Sequence, residues 1–326
     1  MDHKISTLNY DFGVAIYGVS RDDLLSSEFR QQALKLWADH GGLIGLRGPG
    51  LADLTPDELM DWSVCFGSID HENFVAREDK QVQGLPILRI GNTLDKNGNK
   101  NSNFAKVPPL RDDTDIRYNP ATRRPVWHTD STYRQQPPIG SVFHCRQAPS
   151  SGGDTLFADT RGSLKKLDFK QRQKLEKLEA VCSLAHHDKK ISLYSPGYPT
   201  LNQEQRIANP PNRVPLVLTH PVSGEPAIYG LNSSTCAIVP KGQEISASDL
   251  DYWDLEGQED DSVKLLRDLL PFMTSPEFTV KWTWQEGDIV VWDNRCTMHA
   301  ATGFDDKSHV REMWRLTLLQ SVPEAA

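Results

Sequence analysis

Phe278-Thr279-Val280-Lys281-Trp282-Thr283-Trp284-Gln285-Glu286-Gly287-Asp288-Ile289-Val290-Val291-Trp292 carries the clearest strand signal in the chain. Two apolar runs rich in Val, Ile and Trp flank four turn-forming residues, and the pattern predicts two strands joined as a hairpin. Downstream, residues 310–319 alternate. Arg311, Met313, Arg315 and Thr317 share one face, while Val310, Trp314, Leu316 and Leu318 share the other, interrupted by Glu312. Upstream, short strands are expected at 13–19, 43–46, 85–90, 126–130, 140–146, 155–158, 214–219 and 227–231. Helices are expected at 27–39, where Phe29, Ala33, Leu34 and Trp37 line one side before the Gly41-Gly42 stop, and after the Thr55-Pro56 cap. Two more fall at 164–178 and 247–273. Many short strands with helices gathered into a few insertions predict a mainly β protein with a jelly-roll core and helical cover.

The whole of 1–326 reads as one catalytic domain. Two polar stretches rich in Pro, Gly and Asn, 92–124 and 194–213, read as lid loops. The formal net charge of −8 argues against a nucleic-acid partner. No apolar run is long enough to cross a bilayer and the first ten residues hold no signal-peptide core, which points to a cytoplasmic protein with no membrane partner. Five scattered cysteines with no C-x-x-C pair argue against a disulfide framework or a structural zinc site. Oligomeric state stays open, a homo-oligomer included.

Trp127-His128-Thr129-Asp130 carries the chemistry. On a strand, His128 and Asp130 point the same way, and an imidazole beside a carboxylate supplies two ligands of a facial triad suited to non-haem Fe(II). His299, beyond the strand ending at Trp292, is the candidate third ligand. Trp127 faces away and belongs to the core. His186-His187-Asp188 has the same H-x-D form but precedes Lys189-Lys190, and reads as surface.

Together with Pro137-Pro138, Ser151-Gly152-Gly153-Asp154-Thr155, His220-Pro221-Val222-Ser223-Gly224, Trp292-Asp293-Asn294-Arg295 and the 311–315 segment, this set resembles the taurine dioxygenase and 2,4-D dioxygenase family. The resemblance implies a double-stranded β-helix of cupin-like form. It implies Fe(II) held by His128, Asp130 and His299, and consumption of 2-oxoglutarate and O₂ to oxidise a C–H bond, by hydroxylation or by cyclisation or desaturation. It assigns Arg311 and Thr155 to the distal carboxylate of 2-oxoglutarate and Arg315 to the substrate anion. Charge agrees: Fe(II) with one aspartate leaves one positive charge, dianionic 2-oxoglutarate turns this into one negative charge, and one buried Arg restores neutrality. At about 3.3 Å per residue, Arg311 and Arg315 stand roughly 13 Å apart and serve different groups.

Asn92, ending a strand, is a further cosubstrate candidate, against its reading as a turn residue. Where taurine-using members place a His, this chain has Glu72, with His71 one position earlier. Glu72 and Arg315 at opposite ends of one cavity predict a small anionic substrate of amino-acid-like, zwitterionic form. The same two His and one carboxylate also suit a zinc hydrolase, and a jelly roll can serve as a non-catalytic binding protein. Dependence on 2-oxoglutarate separates the first of these, and Fe(II) binding the second.

Overall fold

The structure is a computed structural model that describes residues 3–71, 81–93, 127–188, 200–231, 234–244 and 261–320. Its principal sheet has eight strands: β1 (Lys4–Asn9), β2 (Phe12–Tyr17), β3 (Leu43–Arg47), β4 (Ser68–Ile69), β5 (Leu88–Gly91), β6 (Gly140–Gln147), β14 (Ile289–Asp293) and β16 (Glu312–Leu319). The order is β1-β2-β3-β14-β6-β16-β4, with β5 also paired to β16. A second sheet, β13 (Thr279–Trp282), β7 (Thr155–Asp159) and β15 (Thr297–Ala301), runs in the order β13-β7-β15. The insertion between β7 and β13 adds β8 (Leu178–Cys182), β9 (Asn212–Pro215) and β12 (Thr235–Pro240) as one sheet, and β10 (Val217–Thr219) with β11 (Pro226–Ile228) as another.

Alternation along the strands sorts side chains into separate cores. Phe143, Cys145, Val290, Trp292 and Met313 from the principal sheet meet Phe157, Val280, Trp282 and Trp284 from the second. The opposite face of the principal sheet carries Val142, Ile289, Val291, Trp314, Leu316 and Leu318. It is covered by the helices Ser27–Asp39 and Pro56–Ser63 through Phe29, Ala33, Trp37, Leu59 and Trp62. The outer face of the second sheet, with Ala158, Met298 and Ala300, packs against the insertion. Full burial of such side chains contributes about 1.5–3 kcal/mol each.

Helix Ser27–Asp39 matches its expected bounds and ends where Gly41 and Gly42 take φ of 73° and 72°. The second helix has the expected Thr55 cap, closed into a capping box with Glu58. Residues 164–178 differ from expectation. Asp168 caps a new helix there, splitting the segment into Thr160–Lys166 and Phe169–Glu176, and Leu178 already belongs to β8. Within 194–213, residues 194–199 lie outside the described residues, and the remainder holds the helix Gln203–Ala208 and the start of β9 instead of an open loop. Of 92–124 only Asn92 and Thr93 are described, and of 247–273 only Asp261–Met273, a helix.

The expected hairpin across 285–288 does not form. β13 pairs with β7, whereas β14 pairs with β3 and β6, so the turn carries the chain from one sheet to the other. Asp288 holds this corner. Its carboxylate accepts from Trp282 Nε1 (3.1 Å) and Gln285 N (2.8 Å), and pairs with Arg47 (2.6 Å). Residues 127–130 are likewise not a regular strand but a single β-bridge at His128.

Candidate metal centre and anion pocket

That bridge is what builds the site. His128 N donates to His299 O and His299 N to His128 O, both at 2.9 Å. Residues that exchange both hydrogen bonds stand directly opposite, with side chains on the same face. The two imidazoles are therefore neighbours, with ring centroids 4.1 Å apart. Asp130, two residues on, points to the same place, where a turn begins at Ser131 with φ of 49°. Asn212 secures that turn by donating to Thr132 O (3.0 Å) and Arg134 O (2.6 Å), and Arg134 pairs with buried Asp70 (2.8 Å).

One ligand atom from each of His128, Asp130 and His299 lies within 4.8 Å of the others. Asp130 Oδ1 stands 3.6 Å from His128 Nε2 and 3.8 Å from His299 Nε2, too far for hydrogen bonds and close enough for one shared ion. Burial opposes ionisation of Asp130, but the Arg315 charge, the two imidazoles and the Ser141 hydroxyl outweigh it and bring its pKa to about 2. Burial, with His128 and Arg315, pulls His299 down to about 3. A carboxylate and a neutral imidazole are the protonation states a divalent metal needs, so the donor set fits Fe(II). His299 is wedged against Trp292, with centroids 4.7 Å apart.

Arg311 is buried, at 7% exposure, and its Nε donates to Gly153 O at 3.0 Å. Among the described residues no carboxylate forms an ion pair with it. Burial lowers its pKa to about 10, with Cys145 and Asp154 only partly opposing. A desolvated guanidinium of this kind demands an anion. The glycines of 151–155 make room for it. A Cβ on Gly153 (φ 66°) would meet Arg311 Cδ at 3.1 Å, and one on Gly152 (φ 71°) would meet Gly303 O at 2.5 Å. Thr155, two residues on, is 3% exposed, and its hydroxyl accepts from Trp284 Nε1 at 2.9 Å.

Asn92 is buried, and its side-chain amide is committed to the backbone. Nδ2 donates to Asp306 O (3.1 Å) and His309 O (2.8 Å), and Oδ1 accepts from Arg311 N (2.8 Å). It thus clamps the segment that delivers Arg311. Arg315 reaches the metal end, with Nη2 2.8 Å from Asp130 Oδ2 and Nε 3.3 Å from Ser141 Oγ. Trp127 is buried in the outer core, as expected. Glu72 lies outside the described residues, and His71 is exposed. The H-x-D at 186–188 is not surface. His186 and Asp188 are each 6% exposed, on a helical turn whose His186 N is capped by Ser183 Oγ (3.2 Å).

Ser141 and Trp284 escaped sequence reasoning. Ser141 had a signal, a polar residue on the inward face of a strand whose other inward residues are Phe143 and Cys145. A second group with metal-ligating atoms, His220, Asp293 and Cys296, is a closed network. Asp293 accepts from His220 Nε2 (2.9 Å), Arg295 Nε (2.8 Å) and Arg295 N (2.8 Å), while Thr297 Oγ1 donates to Asp293 O (2.7 Å). It fixes the turn into β15, and so the position of His299.

The family model described as "Taurine catabolism dioxygenase TauD, TfdA family" matches residues 4–317. An alpha-ketoglutarate-dependent 2,4-dichlorophenoxyacetate dioxygenase of Burkholderia sp. (strain RASC) is 31% identical over 195 residues, covering 60% of this chain and 58% of that protein. An alpha-ketoglutarate-dependent sulfonate dioxygenase of Saccharomyces cerevisiae is 25% identical over 316 residues, covering 96% of this chain and 66% of that one. The matched stretches therefore span between about three fifths and two thirds of these relatives' length. Among solved structures, AAD-2 in complex with Mn(II) and N-oxalylglycine superposes with a TM-score of 0.69 at 24% identity, covering all of both chains. At that identity the likeness establishes the fold, the jelly roll expected from the sequence.

Proposed function

The chain belongs to the TauD/TfdA family of dioxygenases, and from that premise we propose that it is an Fe(II)- and 2-oxoglutarate-dependent oxygenase acting on a small anionic substrate. The observation that carries this reading is the pairing of two features. His128, Asp130 and His299 converge on one point, and Arg311, just ahead of β16, is buried without a carboxylate partner among the described residues. A zinc hydrolase would use the first and have no use for the second.

His128, Asp130 and His299 would hold the metal, which with 2-oxoglutarate supplies O₂ activation coupled to oxidative decarboxylation to succinate and CO₂. Arg311 and the Thr155 hydroxyl bind the distal carboxylate, fixing the cosubstrate by its far end. Asn92 acts one step back, by holding the backbone of Arg311. Arg315 keeps Asp130 ionised and leaves cationic charge at the substrate end. Relatives named for phenoxyacetates, sulfate esters and sulfonates all take small anions, which supports an anionic substrate here. An amino-acid-like substrate rests on Glu72 and is tested by Glu72→Gln, which should raise KM for an amino-bearing substrate more than for its des-amino analogue.

The deciding experiment measures O₂ uptake and succinate formation with Fe(II), with and without 2-oxoglutarate. Turnover that needs both, and that disappears in His128→Ala, Asp130→Ala and His299→Ala together with metal binding, supports the reading. Hydrolysis under Zn(II) without 2-oxoglutarate consumption overturns it.

A further inference from the structure

We propose that Trp284 is a positioning residue for the cosubstrate, acting through Thr155. The inference rests on the reading of Thr155 and Arg311 as the 2-oxoglutarate end of the site. Trp284 follows β13 two residues after Trp282, and both indoles enter the core between the sheets. Trp282 Nε1 turns to Asp288, whereas Trp284 Nε1 turns to Thr155 Oγ1 at 2.9 Å. The contact is dry, with Trp284 5% and Thr155 3% exposed.

An indole N–H can only donate, whereas a threonine hydroxyl has one proton and two lone pairs. In this pair the threonine oxygen must be the acceptor. One lone pair is thereby occupied, and the hydroxyl proton remains with no acceptor among the described residues. Arg311, anchored on Gly153 O two residues before Thr155, is also a donor without an acceptor for its terminal nitrogens among the described residues. Both groups thus have hydrogens left to give at the pocket end, which suits a fully ionised carboxylate. Without the indole N–H, the hydroxyl is free to rotate and to accept, and the site loses its fixed polarity. Packing by Phe143, whose ring centroid lies 6.2 Å from that of Trp284, keeps the indole in place.

The test reads binding without turnover, by calorimetric titration of the Mn(II)-loaded protein with 2-oxoglutarate. Trp284→Phe keeps an aromatic ring and removes the N–H, and should weaken 2-oxoglutarate about 3- to 10-fold. Thr155→Val should weaken it about 10-fold, and the double variant no further than Thr155→Val alone. In turnover, Trp284→Phe should raise KM for 2-oxoglutarate and leave kcat and substrate KM unchanged. If Trp284→Phe binds normally, or if the two losses multiply in the double variant, the indole does not act through the hydroxyl and the proposal fails. If Thr155→Val and Arg311→Ala also bind normally, the cosubstrate reading itself fails. A second measurement needs no change at Trp284: one of the eight indole N–H resonances should shift in Thr155→Val. No shifted indole signal overturns the contact even if Trp284→Phe does not fold.

Discussion

Arg315 Nη2 lies 2.8 Å from Asp130 Oδ2, while the other oxygen of the same carboxylate, Oδ1, faces His128 and His299. The two oxygens have separate duties. One is held by Arg315 and the Ser141 hydroxyl (3.2 Å), which leaves the other for a metal. With the metal removed, Arg315 becomes the main charge balancing a buried carboxylate. Arg315→Gln should then destabilise the metal-free protein by on the order of 2–4 kcal/mol. Metal restores the missing charge, so the rise in melting temperature on adding Mn(II) should be larger in the variant than in the parent. An equal rise would show that Arg315 does not support Asp130.

Arg311 presents the opposite balance. Its guanidinium is buried without a carboxylate partner among the described residues, and that costs stability until an anion arrives. Arg311→Met should raise the melting temperature of the 2-oxoglutarate-free protein, or leave it unchanged. It should also weaken 2-oxoglutarate binding by on the order of 2–5 kcal/mol, the cost of losing a charge-assisted pair in a dry site. Melting curves with and without 2-oxoglutarate check both halves. A variant that melts lower and still responds to 2-oxoglutarate would place Arg311 in the scaffold and outside the pocket.

What the sequence made legible was local. Helix Ser27–Asp39 follows from one apolar stripe and a Gly-Gly stop, and the inward face of β16 from simple alternation that puts Met313 and Arg315 on one side. The convergence of His128, Asp130 and His299 was legible because the His128 and Asp130 spacing survives even where the strand shrinks to a single bridge. What stayed hidden depended on distant partners. The 285–288 turn looks like any hairpin until Arg47 and Trp282 are seen gripping Asp288 from different sheets. The burial of His186 and Asp188 depends on how the insertion packs, which no local pattern records. The commitment of Asn92 to Asp306, His309 and Arg311 joins positions more than two hundred residues apart.

His144 gives a pH dependence away from the metal centre. Burial, with the Arg146 charge adding to it, holds its pKa at about 4, although Nε2 donates to Leu51 O at 2.8 Å. In the unfolded chain the pKa returns to about 6.5. Between these values the unfolded state takes up a proton that the folded state refuses, so stability rises with pH there. The contribution is complete above about pH 6.5 and is lost as pH falls towards 4, on the order of 3 kcal/mol in all. Urea unfolding at pH 7.5, 6 and 5 should show this loss. His144→Gln, which keeps a donor for Leu51 O without titrating, should reduce the slope over that range, leaving the share that the likewise depressed His299 contributes with the same sign. A variant with the parent's slope would assign the acid sensitivity elsewhere.

Asn92 supplies the last prediction, because its side chain has no hydrogen-bonding atom left over. Two donors go to Asp306 O and His309 O and the acceptor oxygen takes Arg311 N. Its influence on 2-oxoglutarate must then run through the backbone that carries Arg311. Asn92→Ala removes all three bonds and should raise KM for 2-oxoglutarate about 5- to 50-fold, at roughly 1 kcal/mol per bond with partial compensation by water, while kcat at saturation holds. Asn92→Asp keeps the acceptor for Arg311 N but sets a carboxylate against two carbonyl oxygens, so it should be no better than Asn92→Ala. The readout that separates a clamp from a direct contact is hydrogen exchange without cosubstrate. Amides across 306–311 should exchange faster in both variants than in the parent. If exchange there is unchanged while KM still rises, Asn92 touches 2-oxoglutarate itself and the clamp is not its function.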